Sequence, residues 1–142
     1  MKIKIGGRLI EGTGSASTTL PRQWPELVKH VPEMNSCFQG TLNVELTSPL
    51  LIINPDRVVP PFEWEPGHIE GLGILEIRFE WPVDTEPFQA WVYLPRHSFH
   101  RYSMVRAEVI TKEIPRLREK ANLSDEEMRC RLHYLSISGF II

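Results

Sequence analysis

Residues 38–46 read FQGTLNVEL. Side chains on a strand alternate between its two faces. After Gly40 the apolar Leu42, Val44 and Leu46 therefore form one row, and Thr41, Asn43 and Glu45 form the other. The apolar row requires a core beneath it. The polar row faces either water or something the protein holds. A two-sided strand of this kind sets a mainly β reading, and the flanking sequence extends it.

Residues 2–11, KIKIGGRLIE, alternate well enough for a first strand, with Gly6-Gly7 as a bend or bulge. PRQWPELVKHVPEM (21–34) carries an apolar side of Leu27, Val28 and Val31, which predicts a short helix. LLIINP (50–55) reads as a short apolar strand, and PDRVVPPFEWEPGHIEG (55–71) as a proline-laden connection. GILEIRFEWPV (73–83) places Ile74, Glu76, Arg78 and Glu80 opposite Leu75, Ile77, Phe79 and Trp81. FQAWVYLP (88–95) sets Trp91 and Tyr93 against Val92 and Leu94, and VRAEVIT (105–111) is a further strand. KEIPRLREKANL (112–123) predicts a second short helix, with Ile114, Leu117 and Ala121 on one side. Ser124 to Glu127 has a capping-box pattern, yet RCRLHYLSI (129–137) alternates, so we read a turn and then a strand. About six strands with two short helices predict a compact β-barrel.

A chain of 142 residues, 42% apolar and 24% charged, fits one globular domain. A net charge of −2 argues against a duplex-DNA binder that works by massed phosphate neutralisation. No apolar run approaches the ~20 residues that span a bilayer. The start, MKIKIGGRLI, has no long apolar segment of a secretory signal. These features predict a cytoplasmic protein with neither nucleic acid nor membrane as partner. Cys37 and Cys130 lie far apart without CxxC spacing and are expected as reduced thiols.

Several stretches could carry chemistry. The loop Gly12, Thr13, Gly14, Ser15, Ala16, Ser17 could bring backbone N–H groups close to phosphates, though it lacks the full spacing of a P-loop and also reads as a flexible turn. Thr41 and Asn43 offer two neutral oxygens on one strand face. They suit a Mg²⁺ ion that draws its charge balance from phosphates, or an ordinary polar outer face. His97 and His100 on a loop lack a third ligand, and Ser98 between them is a hydroxyl within reach of a ligand. Glu108, within an apolar strand, either meets solvent or serves a hydroxyl as base. Arg116 and Arg118 suit a helix face or phosphates.

The order of these stretches is more specific than any one of them. A glycine-spaced loop after the first strand precedes a proline-bearing helix and then GTLNV at 40–44. A strand ending LP-x-x-S-x-H follows, then E-V-I at 108–110, a basic L-R and an N-L-x-D turn. This arrangement resembles the archaeal-type riboflavin kinases that use CTP, over about residues 7–132. The resemblance implies a six-stranded cradle-loop barrel that moves the terminal phosphoryl of CTP to the 5′-hydroxyl of riboflavin, giving FMN and CDP. It implies that Gly12 to Ser17 and Pro115, Arg116, Leu117 and Arg118 bind the nucleotide. Thr41 and Asn43 would hold Mg²⁺, and Ser98 and Glu108 would meet the flavin substrate, with Glu108 the catalytic carboxylate. The chain departs from the family pattern at Ala16, where a third glycine is usual, and at Thr18, often aromatic. It departs again at Asp125-Glu126-Glu127, commonly D-G-D, and by about two extra residues between His100 and Glu108. A non-catalytic nucleotide- or flavin-binding regulatory module on the same barrel is the second reading.

Overall fold

Alternation across residues 73–81 belongs to the longest strand among the described residues. The computed structural model describes residues 3–10, 15–52, 55–81, 84–94, 102–112, 124, 128–134 and 140–141. Among them the strands are β1 (Ile3–Ile10), β2 (Leu42–Ile52), β3 (Arg57–Glu65), β4 (His68–Trp81), β5 (Asp84–Leu94), β6 (Tyr102–Ile110), β7 (Arg129–Tyr134) and the two-residue β8 (Phe140–Ile141). One helix, α1 (Ser15–His30), and a 3-10 turn at Pro32–Ser36 complete the described elements.

The protein is mainly β, an antiparallel sheet whose hydrogen bonding runs in a ring. Neighbours follow the order β1, β7, β4, β5, β6, β2, and β2 returns to β1. Two strands are long enough to change partner along one edge. β4 pairs with β3 over His68–Ile74 and with β7 over Ile77–Glu80, while β5 holds its other edge. β2 pairs with β1 over Asn43–Leu46 and with β8 at Leu51 and Ile52, with β6 opposite. An irregularity between Glu45 and Leu50 bends β2 between these two halves.

Alternation distributes the apolar side chains to two clusters. Leu9, Val44, Leu75, Ile77, Phe79, Val92, Val109 and Leu132 fill one, inside the ring, with Leu42 packed at its margin. Ile74, Trp91, Tyr93 and Ile110 project the other way and meet Leu20, Trp24, Leu27 and Val31 of α1 and its exit. Pro21 and Pro25 interrupt the helical bonding of α1, but both lie on its exposed side, so the packed stripe is unbroken. Arg57 fastens the C-terminal end of α1: its Nη1 donates to the His30 carbonyl at 3.1 Å, and the guanidinium pairs with Glu33 at 3.3 Å and Glu76 at 2.7 Å.

Several expectations need correction. Residues 57–65 form β3, not a connection; Pro60 and Pro61 are exposed in a strand that, among the described residues, pairs only with β4, where missing N–H groups are tolerated. The expected short helix begins earlier, at Ser15, and runs 16 residues. The strand at 38–46 starts at Leu42, and the one at 50–55 is its continuation. The second short helix, 112–123, lies outside the described residues beyond Lys112. The strand expected at 129–137 is borne out over Arg129–Tyr134, whereas the turn expected before it falls on residues 125–127, outside the described residues; the Met128 N–H donates to the Ser124 carbonyl at 3.1 Å. Both cysteines are free thiols, and burial pushes Cys130 up to about 12.

Gly6-Gly7 makes no bulge, since β1 pairs with β7 without a register break from Ile3 to Arg8. Gly7 answers a packing need instead. A Cβ there would run into Val44 Cγ1 and come within 3.1 Å of the Glu45 carbonyl. Gly7→Ala is therefore expected to lose about 1–3 kcal/mol by overpacking, measured by urea unfolding. A loss near zero would mean that β1 and β2 stand further apart.

Candidate functional site

Asn43 on β2 lies between two strands, opposite Ile10 of β1 and Glu108 of β6. The next strand over brings Tyr93 opposite Glu108. Residues opposite one another share a face, so one row crosses the outside of the ring: Ile10, Asn43, Glu108, Tyr93. Thr41, just before β2, joins it, and its hydroxyl donates to Glu108 Oε1 at a long 3.4 Å. The polar row of the opening strand thus divides. Glu45 is exposed, cross-strand from Arg8 and Arg106, whereas Thr41 and Asn43 are half-buried beside a carboxylate.

Residues 37–40 wrap the end of this row. The Phe38 N–H donates to the Thr111 carbonyl at 3.1 Å, beyond the end of β6. Its half-exposed ring lies over Gly40, where a Cβ would come within 2.7 Å of Phe38 Cε1. The glycine of the GTLN stretch thus leaves room for a half-exposed aromatic ring, which would have to shift to admit a Cβ, and answers to no unusual backbone angle. Burial raises the Glu108 pKa, and the Thr41 hydroxyl opposes part of that shift.

Chain order leads on from these strand ends into other predicted segments. Ile10, opposite Asn43, is the last described residue before 11–14, and α1 opens at Ser15. Ser15, Ala16 and Ser17 therefore form the first helical turn, where backbone N–H groups lack intrahelical partners. Gly12, Thr13 and Gly14 lie outside the described residues. So do Pro115, Arg116, Leu117 and Arg118, which follow Lys112 beyond the β6 end nearest Leu42. Ser98 also lies outside them.

The oxygen set suits a hard cation. Thr41 and Asn43 supply neutral oxygens, and Glu108 supplies one carboxylate. Among the described residues, no group of three or more His, Cys, Asp or Glu gathers to hold a metal. A cation here would thus take much of its coordination and charge balance from phosphate and water.

A second part of the outer face went unread in the sequence. A cavity of about 620 Å³ opens between α1 and the β3–β4 hairpin, lined by Gln23, Trp64, His68, Glu70 and Tyr93 among others. The Tyr93 hydroxyl donates to Gln23 Oε1 at 2.6 Å, and Gln23 Nε2 donates to Glu70 Oε1 at 3.2 Å. Burial drives the Tyr93 pKa up; the Glu70 and Glu108 carboxylates add to this, and the Gln23 hydrogen bond opposes it. Gln23 could have been noticed. It stands within the helical stripe of Leu20, Trp24, Leu27 and Val31, and a polar residue there needs buried partners.

No protein-family model matches the sequence, and no curated protein matches it significantly.

Proposed function

We propose that the protein is a Mg²⁺-dependent phosphotransferase that uses CTP and acts on the 5′-hydroxyl of riboflavin or a related small alcohol, on a six-stranded barrel of the cradle-loop kind. The observation that carries this reading is the meeting of Thr41, Asn43 and Glu108. These residues, drawn from separate stretches, share one half-buried outer face.

Phosphoryl transfer asks a protein for alignment and charge stabilisation more than covalent help. Thr41 and Asn43 would hold Mg²⁺, which when bound neutralises charge on the transferring phosphates. The first-turn amides of α1 would meet phosphate oxygens. Glu108, its pKa raised by burial, would orient the acceptor hydroxyl and take its proton.

The test is FMN formation from riboflavin, CTP and MgCl₂, followed chromatographically, with ATP in a parallel reaction. FMN is expected with CTP and lost when EDTA removes Mg²⁺. CDP and riboflavin binding without product would favour the non-catalytic module. Absence of both binding and turnover would remove the reading.

A further inference from the structure

We propose that the cavity between α1 and the β3–β4 hairpin takes a planar heteroaromatic ring that turns an N–H or NH₂ edge toward Glu70. Three features point to a ring. Trp64 and His68 are stacked, with centroids 5.1 Å apart and planes 28° from parallel, forming an aromatic wall. That wall is held in place, since His68 Nδ1 lies 3.0 Å from Glu65 Oε2 and Arg22 of α1 pairs with Glu65 at 2.6 Å. The volume, about 620 Å³, falls within the range of about 300–1,000 Å³ found for small-molecule sites.

The polar groups define which edge enters. Gln23 is 1% exposed, and both ends of its amide are engaged, by Tyr93 and by Glu70. It acts as a fixed spacer. Glu70 is an acidic group lining the cavity, and a carboxylate offers about four acceptor sites, so it can take a ligand donor besides Gln23 and its other partners. An acidic group disfavours phosphate beside it. A ligand with a ring at one end and a phosphate or hydroxyl at the other would therefore enter ring first. Tyr93 faces the cavity and is paired with Glu108 on the next strand, which directs the other end toward the Thr41–Asn43–Glu108 face.

The preference for a ring stands on the cavity alone, whereas the source of the ring rests on the phosphotransferase reading. It is either the tricycle of the acceptor or the base of the nucleotide. Full-length protein would be titrated with lumichrome, which is the flavin ring without its ribityl chain, and separately with cytidine. Each titration would be repeated for Trp64→Leu, Trp64→Phe and Glu70→Ala, with circular dichroism confirming the fold.

Binding of one ring is expected to weaken about tenfold in Trp64→Leu and Glu70→Ala and to be largely kept in Trp64→Phe. Lumichrome binding assigns the acceptor, and cytidine binding assigns the nucleotide. If Trp64→Leu does not fold, Glu70→Ala and Trp64→Phe decide on the same criteria. Binding of neither ring, binding indifferent to the altered residues, or saturation by tetramethylammonium alone overturns the proposal. Ring binding without FMN formation would remove the kinase reading and keep the cavity. FMN formation untouched by Trp64→Leu and Glu70→Ala would do the reverse.

Discussion

Glu108→Gln is expected to lower FMN formation about 10²–10⁴-fold while raising the melting temperature at neutral pH. Glutamine keeps the size of the side chain, and its amide oxygen can still accept from the Thr41 hydroxyl. On the phosphotransferase reading proposed above, what disappears is the proton acceptor. The stability change has a definite sign. Burial raises the pKa of Glu108 in the folded protein above its unfolded value of about 4.3. Between the two values the folded state binds more protons than the unfolded one, so stability falls as pH climbs through that window and stays lower above it. Glutamine removes the penalty. The variant should therefore melt higher at pH 7, with the difference fading below pH ~4.3. Melting curves at several pH values, beside the chromatographic assay, test both halves. A variant that melts lower at pH 7 and forms FMN at the native rate would make Glu108 a structural residue only.

Phe79→Ala is expected to destabilise the protein by about 3–5 kcal/mol, a large share of the roughly 5–15 kcal/mol typical of a whole domain. The ring is fully buried inside the sheet. It lies opposite Phe88 on β5 and Leu132 on β7, and its centroid is 5.5 Å from that of Phe88. Truncation would leave a cavity among β-strand side chains that pairing holds apart, so little collapse could refill it. Urea unfolding should show a lower midpoint with an unchanged slope. A loss under about 1 kcal/mol would indicate that the interior is not close-packed.

Much of the fold was legible because alternation is a local signal. Spacing alone puts Leu75, Ile77 and Phe79 on one face, and Val92 and Leu94 on one face of their strand, and all five pack inside the ring. Less legible was that the opposite face is also covered. Ile74, Trp91 and Tyr93 pack under α1, and a period of two does not say which of two apolar faces receives a helix. β3 was hidden by Pro60 and Pro61, which punctuate sequence strongly but are harmless in an edge strand. The separate strand at 50–55 was an artefact of Pro49 in the irregular middle of β2.

At the candidate site, Thr41 and Asn43 stand out by strand alternation and Glu108 as a carboxylate in an apolar strand; the ordered resemblance supplies their expected roles, and the register sets Asn43 opposite Glu108. The relay from Tyr93 through Gln23 to Glu70 spans sequence separations of 70 and 47, beyond any local pattern. Only the polar residue in an apolar helical stripe hinted at it.

The seam between β1 and β7 has a consequence for synthesis. It joins Ile3 to Tyr134 and Arg8 to Arg129, so the circuit of strands cannot close until nearly all of the described chain has left the ribosome. Until then Ile5 and Leu9 lack a permanent partner on that side, and a nascent chain would present them to chaperones or to other chains. Final closure joins the most distant parts of the sequence, which places refolding in the millisecond-to-second regime of non-local β topologies.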